Sequence, residues 1–299
     1  MQPSLVLCAL LAALAPASAV ESAVFRFAPR TGRPFTETVT QEIIEEWPTN
    51  RLRRSLFVTN QWTIKSKRDS YVFVCKTEAL IDGASARPWA HPIAAVYEGL
   101  EQSHFVSRKG EFLRTELNKN LAFEIRKRLP PELQSAAEQQ VSKDRLLLNQ
   151  KIRHMELVEP FIGRSIKQGD SWTREVTDNS RSAEEPVLRY TLYTCPAIAR
   201  HSEKDTTVKV LYFMTTDKKL LNQLNLVNAY DIHSPEVATF LDAARRDQPV
   251  DNLFVKQLLN AETMTVISED RLRRQTVRTP KGLLIVTERT RHRYDPVER

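Results

Sequence analysis

The feature that most constrains this chain is a pair of long apolar runs with almost nothing between them. Residues 57–64 place Val58, Trp62 and Ile64 on one parity, residues 65–69 are polar, and residues 71–76 alternate Tyr71, Phe73 and Cys75 against Val72 and Val74. Successive side chains of a strand point to opposite faces. Apolar residues on both parities therefore predict a strand covered on both sides. Long strands joined by a tight turn run antiparallel.

The pattern recurs in three zones. Roughly residues 22–116 read as strands: Val24, Phe25 and Phe27 open them, Val39, Ile43 and Ile44 follow the Thr31-Gly32 turn, and a hairpin turns around Lys109-Gly110. Residues 117–160 read as helix. Leu117, Leu121, Ile125 and Leu129 recur every four residues, Pro130-Pro131 breaks the run, and Leu133, Ala137, Val141, Leu148, Ile152 and Met155 mark one face of a long amphipathic helix. The third zone mixes both types. Strands are predicted over 172–176, 187–194, 206–214, 263–268, 273–279 and 283–290, the last hairpin turning at Pro280-Lys281-Gly282. Helices are predicted over 218–227 and 251–259, and Ser234, Pro235 and Glu236 form a helix start ahead of Val237, Phe240, Leu241 and Ala244. The sum is an α+β protein, a curved antiparallel β-sheet with helices packed against one face. It forms a single domain over 20–299, with a soft boundary in the polar stretch 177–186.

The first nineteen residues stand apart. A Leu/Ala/Val run over 5–14 ends in Ala17-Ser18-Ala19, the small-x-small pattern that signal peptidase cuts, and is too short to span a bilayer. The expectation is a signal peptide over 1–19 and an exported chain, periplasmic or extracellular, with no transmembrane span after Val20. A net charge of +7 favours anionic partners such as lipid headgroups or acidic polysaccharide. Export sets nucleic acid aside, and so does the placing of aromatics on core strands. Cys8 leaves with the leader. The remaining pair, Cys75 and Cys195, reads first as a disulfide in an oxidising compartment. It would close a loop of about 120 residues, worth about 4–5 kcal/mol. Two separate buried thiols are the alternative.

A search for chemistry returns little. The closest two of the seven glycines, Gly163 and Gly169, lack the Lys-Ser or Lys-Thr of a phosphate loop. No serine has the flanking glycines of a hydrolase elbow. The six histidines are scattered singly, without metal-ligand spacing. No catalytic, cofactor or metal set emerges. In Gly169-Asp170-Ser171-Trp172, Asp170 reads as a turn cap and Trp172 as a core anchor. Arg289, Arg291 and Arg293 share a strand face, where they either grip phosphate or carboxylate groups or deter edge-to-edge pairing.

Several stretches together resemble uncharacterised secreted bacterial proteins of an antiparallel β type: Phe25-Arg26-Phe27, Val39-Thr40-Gln41-Glu42, Lys109-Gly110-Glu111-Phe112 and residues 166–172. In outline the chain is also similar to periplasmic lipoprotein carriers, in which a curved sheet wraps over helices and holds acyl chains. That likeness implies a hydrophobic or amphiphilic ligand, or an envelope partner, held between sheet and helices. Trp62, Phe73, Val141 and Leu148 are the candidate lining. A second reading is an assembly protein docking on anionic envelope polymer or membrane surface through its arginines. A third is a hydrolase with a composite site, which a cleft bringing His104 or His154 to a carboxylate would favour.

Overall fold

The computed structural model describes residues 18–19, 22–82, 94–97, 99–140, 151, 154, 158–178, 187–202, 205–226, 229, 231–243, 251–280 and 282–296. The strands of the first half are β1 (Ser18–Ala19), β2 (Ser22–Val24), β3 (Phe35–Glu46), β4 (Arg51–Ser66), β5 (Ser70–Asp82), β6 (Glu101–Ser107) and β7 (Phe112–Leu117). Those of the second are β8 (Ser165–Lys167), β9 (Ser171–Asp178), β10 (Val187–Ser202), β11 (Asp205–Thr215), β12 (Asp251–Asn260), β13 (Thr265–Thr279) and β14 (Gly282–Pro296). The helices are α1 (Ala94–Tyr97), α2 (Leu121–Arg128), α3 (Pro131–Gln140), α4 (Lys218–Asn222) and α5 (Pro235–Asp242).

A 12-stranded sheet runs in the order β1-β10-β11-β12-β13-β14-β3-β4-β5-β6-β7, with β9 also against β10, while β2 and β8 form a separate pair. Every pairing is antiparallel. The sheet does not close into a barrel, but it curves. Val106 on β6 and Thr265 on β13 line one cavity of about 170 Å³. Five strand spacings separate those strands, about 24 Å in a flat sheet. Register shifts at Thr59/Asn60, Phe105/Val106 and Leu258/Leu259 are bulges of the kind that bend strands.

Alternation along the central strands builds two cores. On β11, Val210, Tyr212 and Met214 face a core capped by Phe25, Phe161 and Ile166, whereas Leu211 and Phe213 face a second core made with Val237, Phe240 and Leu241 of α5. Helices α4 and α5 thus cover one face of the sheet. The other face carries the β2–β8 pair and residues 158–163. A third small core joins Val96, Leu121, Ile125, Leu129 and Ala137, and packs α1–α3 together with Leu117 of β7.

Local signals explain the short helices. The side chain of Asn120 accepts from Phe123 N at the start of α2, and Arg126, Lys127 and Arg128 complement its C-terminal dipole. The helix stops at Leu129, which is extended as a residue before proline must be. Leu117, expected to open this helix, instead ends β7. The Ser234-Pro235 start holds, although Ser234 Oγ accepts from Asp231 N rather than from the helix.

Two expectations are corrected. Residues 251–259 are not helical but form β12, which lies between β11 and β13. A short run that is apolar on both parities has no distinguishing period; here Val255 enters one core and Phe254 the other, which only a strand allows. The Cys75–Cys195 bond is not formed. Both cysteines are buried thiols, on β5 and β10, toward opposite ends of the strand order. Burial pushes the Cys195 thiol up to about 12.

Candidate ligand-binding site

The cavity lies where β3–β6 and β14 bend over the segment after β2. Trp62 and Ile64 of β4, Phe73 of β5 and His104 and Val106 of β6 form much of its wall. Phe35 of β3 and Tyr294 of β14 continue it, and Phe27, Met264 and His154 close it from above. Both described members of the expected lining, Trp62 and Phe73, are therefore present together. Val141 and Leu148 lie outside the described residues.

The floor is a row of rings laid across neighbouring strands. Phe35 stacks on Trp62 at 6.2 Å and 3°, Tyr294 lies 6.1 Å from Phe35, and His104 lies 5.9 Å from Trp62. Offset and tilted contacts of this kind add to area burial. Across the cavity, Met264 occupies the β12–β13 turn with φ 55, a conformation rare for a side-chain-bearing residue. Asn260 Oδ1 accepts from the amide and hydroxyl of Thr263 in the same turn, at 3.1 and 3.0 Å.

One layer along the strands, a polar row replaces the rings. Glu37 is 1% exposed. Its carboxylate accepts from Trp62 Nε1 at 2.7 Å, Asn60 Nδ2 at 3.0 Å and His292 Nδ1 at 2.8 Å. Asn60 Oδ1 in turn accepts from Thr77 Oγ1 at 3.0 Å. On the far side of the ring, His292 Nε2 lies 3.8 Å from Glu269 Oε1, and Glu269 accepts from Gln257 Nε2 at 2.6 Å and pairs with Arg271 at 3.3 Å. The row crosses β12, β13, β14, β3, β4 and β5. A buried carboxylate is tolerable only with donors such as these. Its consequence for the cavity is mechanical, because Trp62 is pinned by its indole N–H and Tyr294 stacks on His292 at 6.3 Å.

This row answers the hydrolase reading in an unexpected place. His104 Nδ1 pairs with Thr115 Oγ1 at 2.8 Å, and His154 Nε2 donates to the Gly110 carbonyl at 2.5 Å. The histidine flanked by carboxylates is His292. Its two nitrogens address different carboxylates, so the donors do not converge. Among the described residues no group of three or more His, Cys, Asp or Glu is placed to hold a metal.

His154 is held by the β6–β7 turn. Gly110 there has φ +88, and a Cβ on it would collide with Ile162 and crowd Phe27. Only glycine fits, and the close approach sets the carbonyl against the imidazole. Burial pushes the His154 pKa down from its ordinary 6.5, against weaker raising effects of the Gly110 bond and Glu159.

The arginine row sits on the opposite face. β14 is an interior strand between β13 and β3, which removes the reading of Arg289, Arg291 and Arg293 as edge protection. Arg291 and Arg293 pair with Asp270 at 3.6 and 3.2 Å. Arg289 approaches His233 Nε2 at 3.4 Å. A hollow of about 330 Å³ opens beside them, lined by Arg289, Arg291, Arg53, Glu42, Thr40 and Ser55. Arg53 is paired with Glu42. The turn-and-anchor reading of residues 169–172 holds: Asp170 accepts from Lys167 N at 2.7 Å, and Trp172 stacks on Tyr193 at 5.2 Å.

Sequence reasoning missed Glu37, His292 and Tyr294. A signal existed. Glu37 shares its parity with Phe35 and Val39, and His292 and Tyr294 alternate with Arg291 and Arg293. A charged residue on the inward parity of a strand marks a buried polar site.

No helix among the described residues is long and apolar enough to cross a membrane. No family model and no curated protein matches the chain. Among solved structures it is similar to a DUF1329 family protein from Desulfovibrio piger ATCC 29098, at 8% identity over 89% of this chain and 85% of that one, with a TM-score of 0.24, a likeness too loose to carry an argument about fold or function.

Proposed function

We propose that this is an exported, non-enzymatic binding protein that holds a small hydrophobic or amphiphilic ligand in the cavity over β3–β6. The observation that carries the reading is the lining: aromatic and aliphatic side chains with a few polar groups, two histidines and threonine hydroxyls among them. Ligand sites have this composition. At about 170 Å³ the cavity suits one benzene-sized ring or a short alkyl segment. A whole acyl chain would have to leave most of its length outside. Export is supported by the leader-like residues 5–19. Ser18–Ala19 pair with Ala199 and Arg200 as β1, so a cut after Ala19 removes that strand from the sheet margin.

The test is a titration of delipidated protein with toluene and 1-hexanol, read at the indole N–H resonance of Trp62. Saturable shifts are expected. If neither compound moves that resonance, the reading falls.

The hollow at Arg53, Arg289 and Arg291 favours a second reading, docking on anionic polymer or membrane surface. It stands second because Glu42 and Asp270 already neutralise part of the charge. Binding to heparin or anionic vesicles should weaken steeply with salt and when Arg289, Arg291 and Arg293 are replaced by Ser. Binding insensitive to both excludes it.

A further inference from the structure

The cations of this chain are unevenly matched with acids. At the β3–β4 hairpin, Arg51, Arg53 and Arg54 pair with Glu46, Glu42 and Glu45 across the turn. At the other end of β4 the balance changes. Residues 29–33, 65–69 and 108–111 carry seven cationic side chains against two acids, Asp69 and Glu111. All seven cations are exposed. Among the described residues, the side chains of Arg30, Arg33, Lys65, Arg68 and Lys109 have no ion pair and no hydrogen bond. An arginine held by a neighbouring carboxylate is already neutralised; these five keep their charge for an anion outside the chain.

The three stretches form one surface. Arg108 Nη2 donates to Ser66 Oγ at 2.7 Å and to the Lys67 carbonyl, which ties the β6–β7 tip to the β4–β5 tip. Gly32 N donates to the Ile64 carbonyl at 3.0 Å, which lays the stretch before β3 along the end of β4. The cavity lies at this same end of the sheet. Ile64 and Val106 line it from within two residues of the ends of β4 and β6, and Phe112 from the first residue of β7. Phe27 and Pro29 line it from the stretch that continues into Arg30. The Arg108 guanidinium lies 4.2 Å over the Tyr71 ring, which is 5.7 Å from the ring of Phe27.

We propose that this end of the sheet docks on an anionic lipid bilayer, with Arg30, Arg33, Lys65, Arg68 and Lys109 against the headgroup phosphates. The choice of a bilayer over a soluble anion rests on the reading that the cavity holds an apolar ligand, because a bilayer offers negative charge and apolar molecules at one surface. The docking end is separate from the hollow at Arg53, Arg289 and Arg291, where Glu42 and Asp270 supply the counter-charge.

The experiment is co-flotation of the full chain with vesicles of phosphatidylcholine, with and without one quarter phosphatidylglycerol. The phosphatidylglycerol vesicles should bind on the order of hundredfold more tightly, each cation near such a surface being worth about fivefold, and the preference should fade as salt rises. Replacing Arg30, Arg33, Lys65, Arg68 and Lys109 together by Gln should remove most of the preference with the urea-unfolding midpoint unchanged. Replacing Arg289, Arg291 and Arg293 by Ser should leave it. No preference in the full chain, a preference kept by the Gln variant, or one lost in the Ser variant overturns the inference. So does binding to heparin through the same five cations without binding to vesicles. A toluene shift at Trp62 without vesicle docking removes the docking surface and leaves the cavity reading; docking without the toluene shift does the reverse.

Discussion

The two halves of the sheet use the same strand geometry to different ends. Around β10–β12 both faces are filled: Tyr193, Tyr212 and Val255 on one side, Phe213, Phe254 and Phe240 on the other, all nearly inaccessible. Around β3–β6 the cavity face carries a polar row, then a row of rings, then empty space. Dense packing leaves no room for a ligand. An open space lined by apolar groups forgoes contacts on one side. The β10–β12 region supplies stability, and the β3–β6 region gives up some of it to a shaped hollow whose walls are pinned by hydrogen bonds.

That contrast is open to attack at several levels. The largest effect is expected from Phe254→Ala, about 3–5 kcal/mol by urea unfolding, because the ring is enclosed on all sides. Phe73→Ala should cost about half as much, since one side of that ring already faces the cavity; equal costs would erase the distinction. Glu37→Ala should cost about 3 kcal/mol or more, by leaving Trp62, Asn60 and His292 donors without their carboxylate. It should also broaden the Trp62 indole signal, which Phe254→Ala should not. Enlarging a side chain should separate the halves by sign. Val255→Phe is expected to cost about 1–3 kcal/mol by overpacking, whereas Val106→Phe should be neutral or stabilising by up to about 1 kcal/mol and should block toluene.

A smaller effect concerns pH. Because the folded-state pKa of His154 lies below its ordinary 6.5, the unfolded chain takes up the proton first as pH falls. The contribution of this buried neutral ring is intact above about 6.5 and is lost as pH drops from there through the folded value. His154→Phe should flatten the stability profile in that range. The finest comparison uses the two thiols. Cys195, with its pKa near 12, should react with a thiol reagent only on global unfolding, while Cys75 in the cavity half should react earlier through local opening. Simultaneous reaction would show the halves to be equally tight, and no reaction after unfolding would mean the thiols are bonded.

Much of this arrangement was legible in the residues. Alternation at 57–64 and 71–76 gave β4 and β5 and put Trp62 and Phe73 on one face, because a two-residue period needs no tertiary information. The Lys109-Gly110 turn and the Ser234-Pro235 start were local for the same reason. Residues 251–259 failed because their apolar run is satisfied only by neighbours on both sides, which no window of sequence contains. The Glu37–His292 pair failed for a related reason. Its members are 255 positions apart, and only the pairing of β14 with β3 brings them together.

That pairing has a temporal consequence. In the order of the described strands, β14 joins the β3–β7 side of the sheet to the β10–β13 side, pairing residues 285–296 with residues 35–46. Loop closure over such a distance is slow. As the polypeptide emerges from the ribosome, each half can form hairpins, but they cannot become one sheet until β14 has been made. A chain that has not yet made β14 leaves β3 and β13 each with an unpaired edge, a state exposed to aggregation.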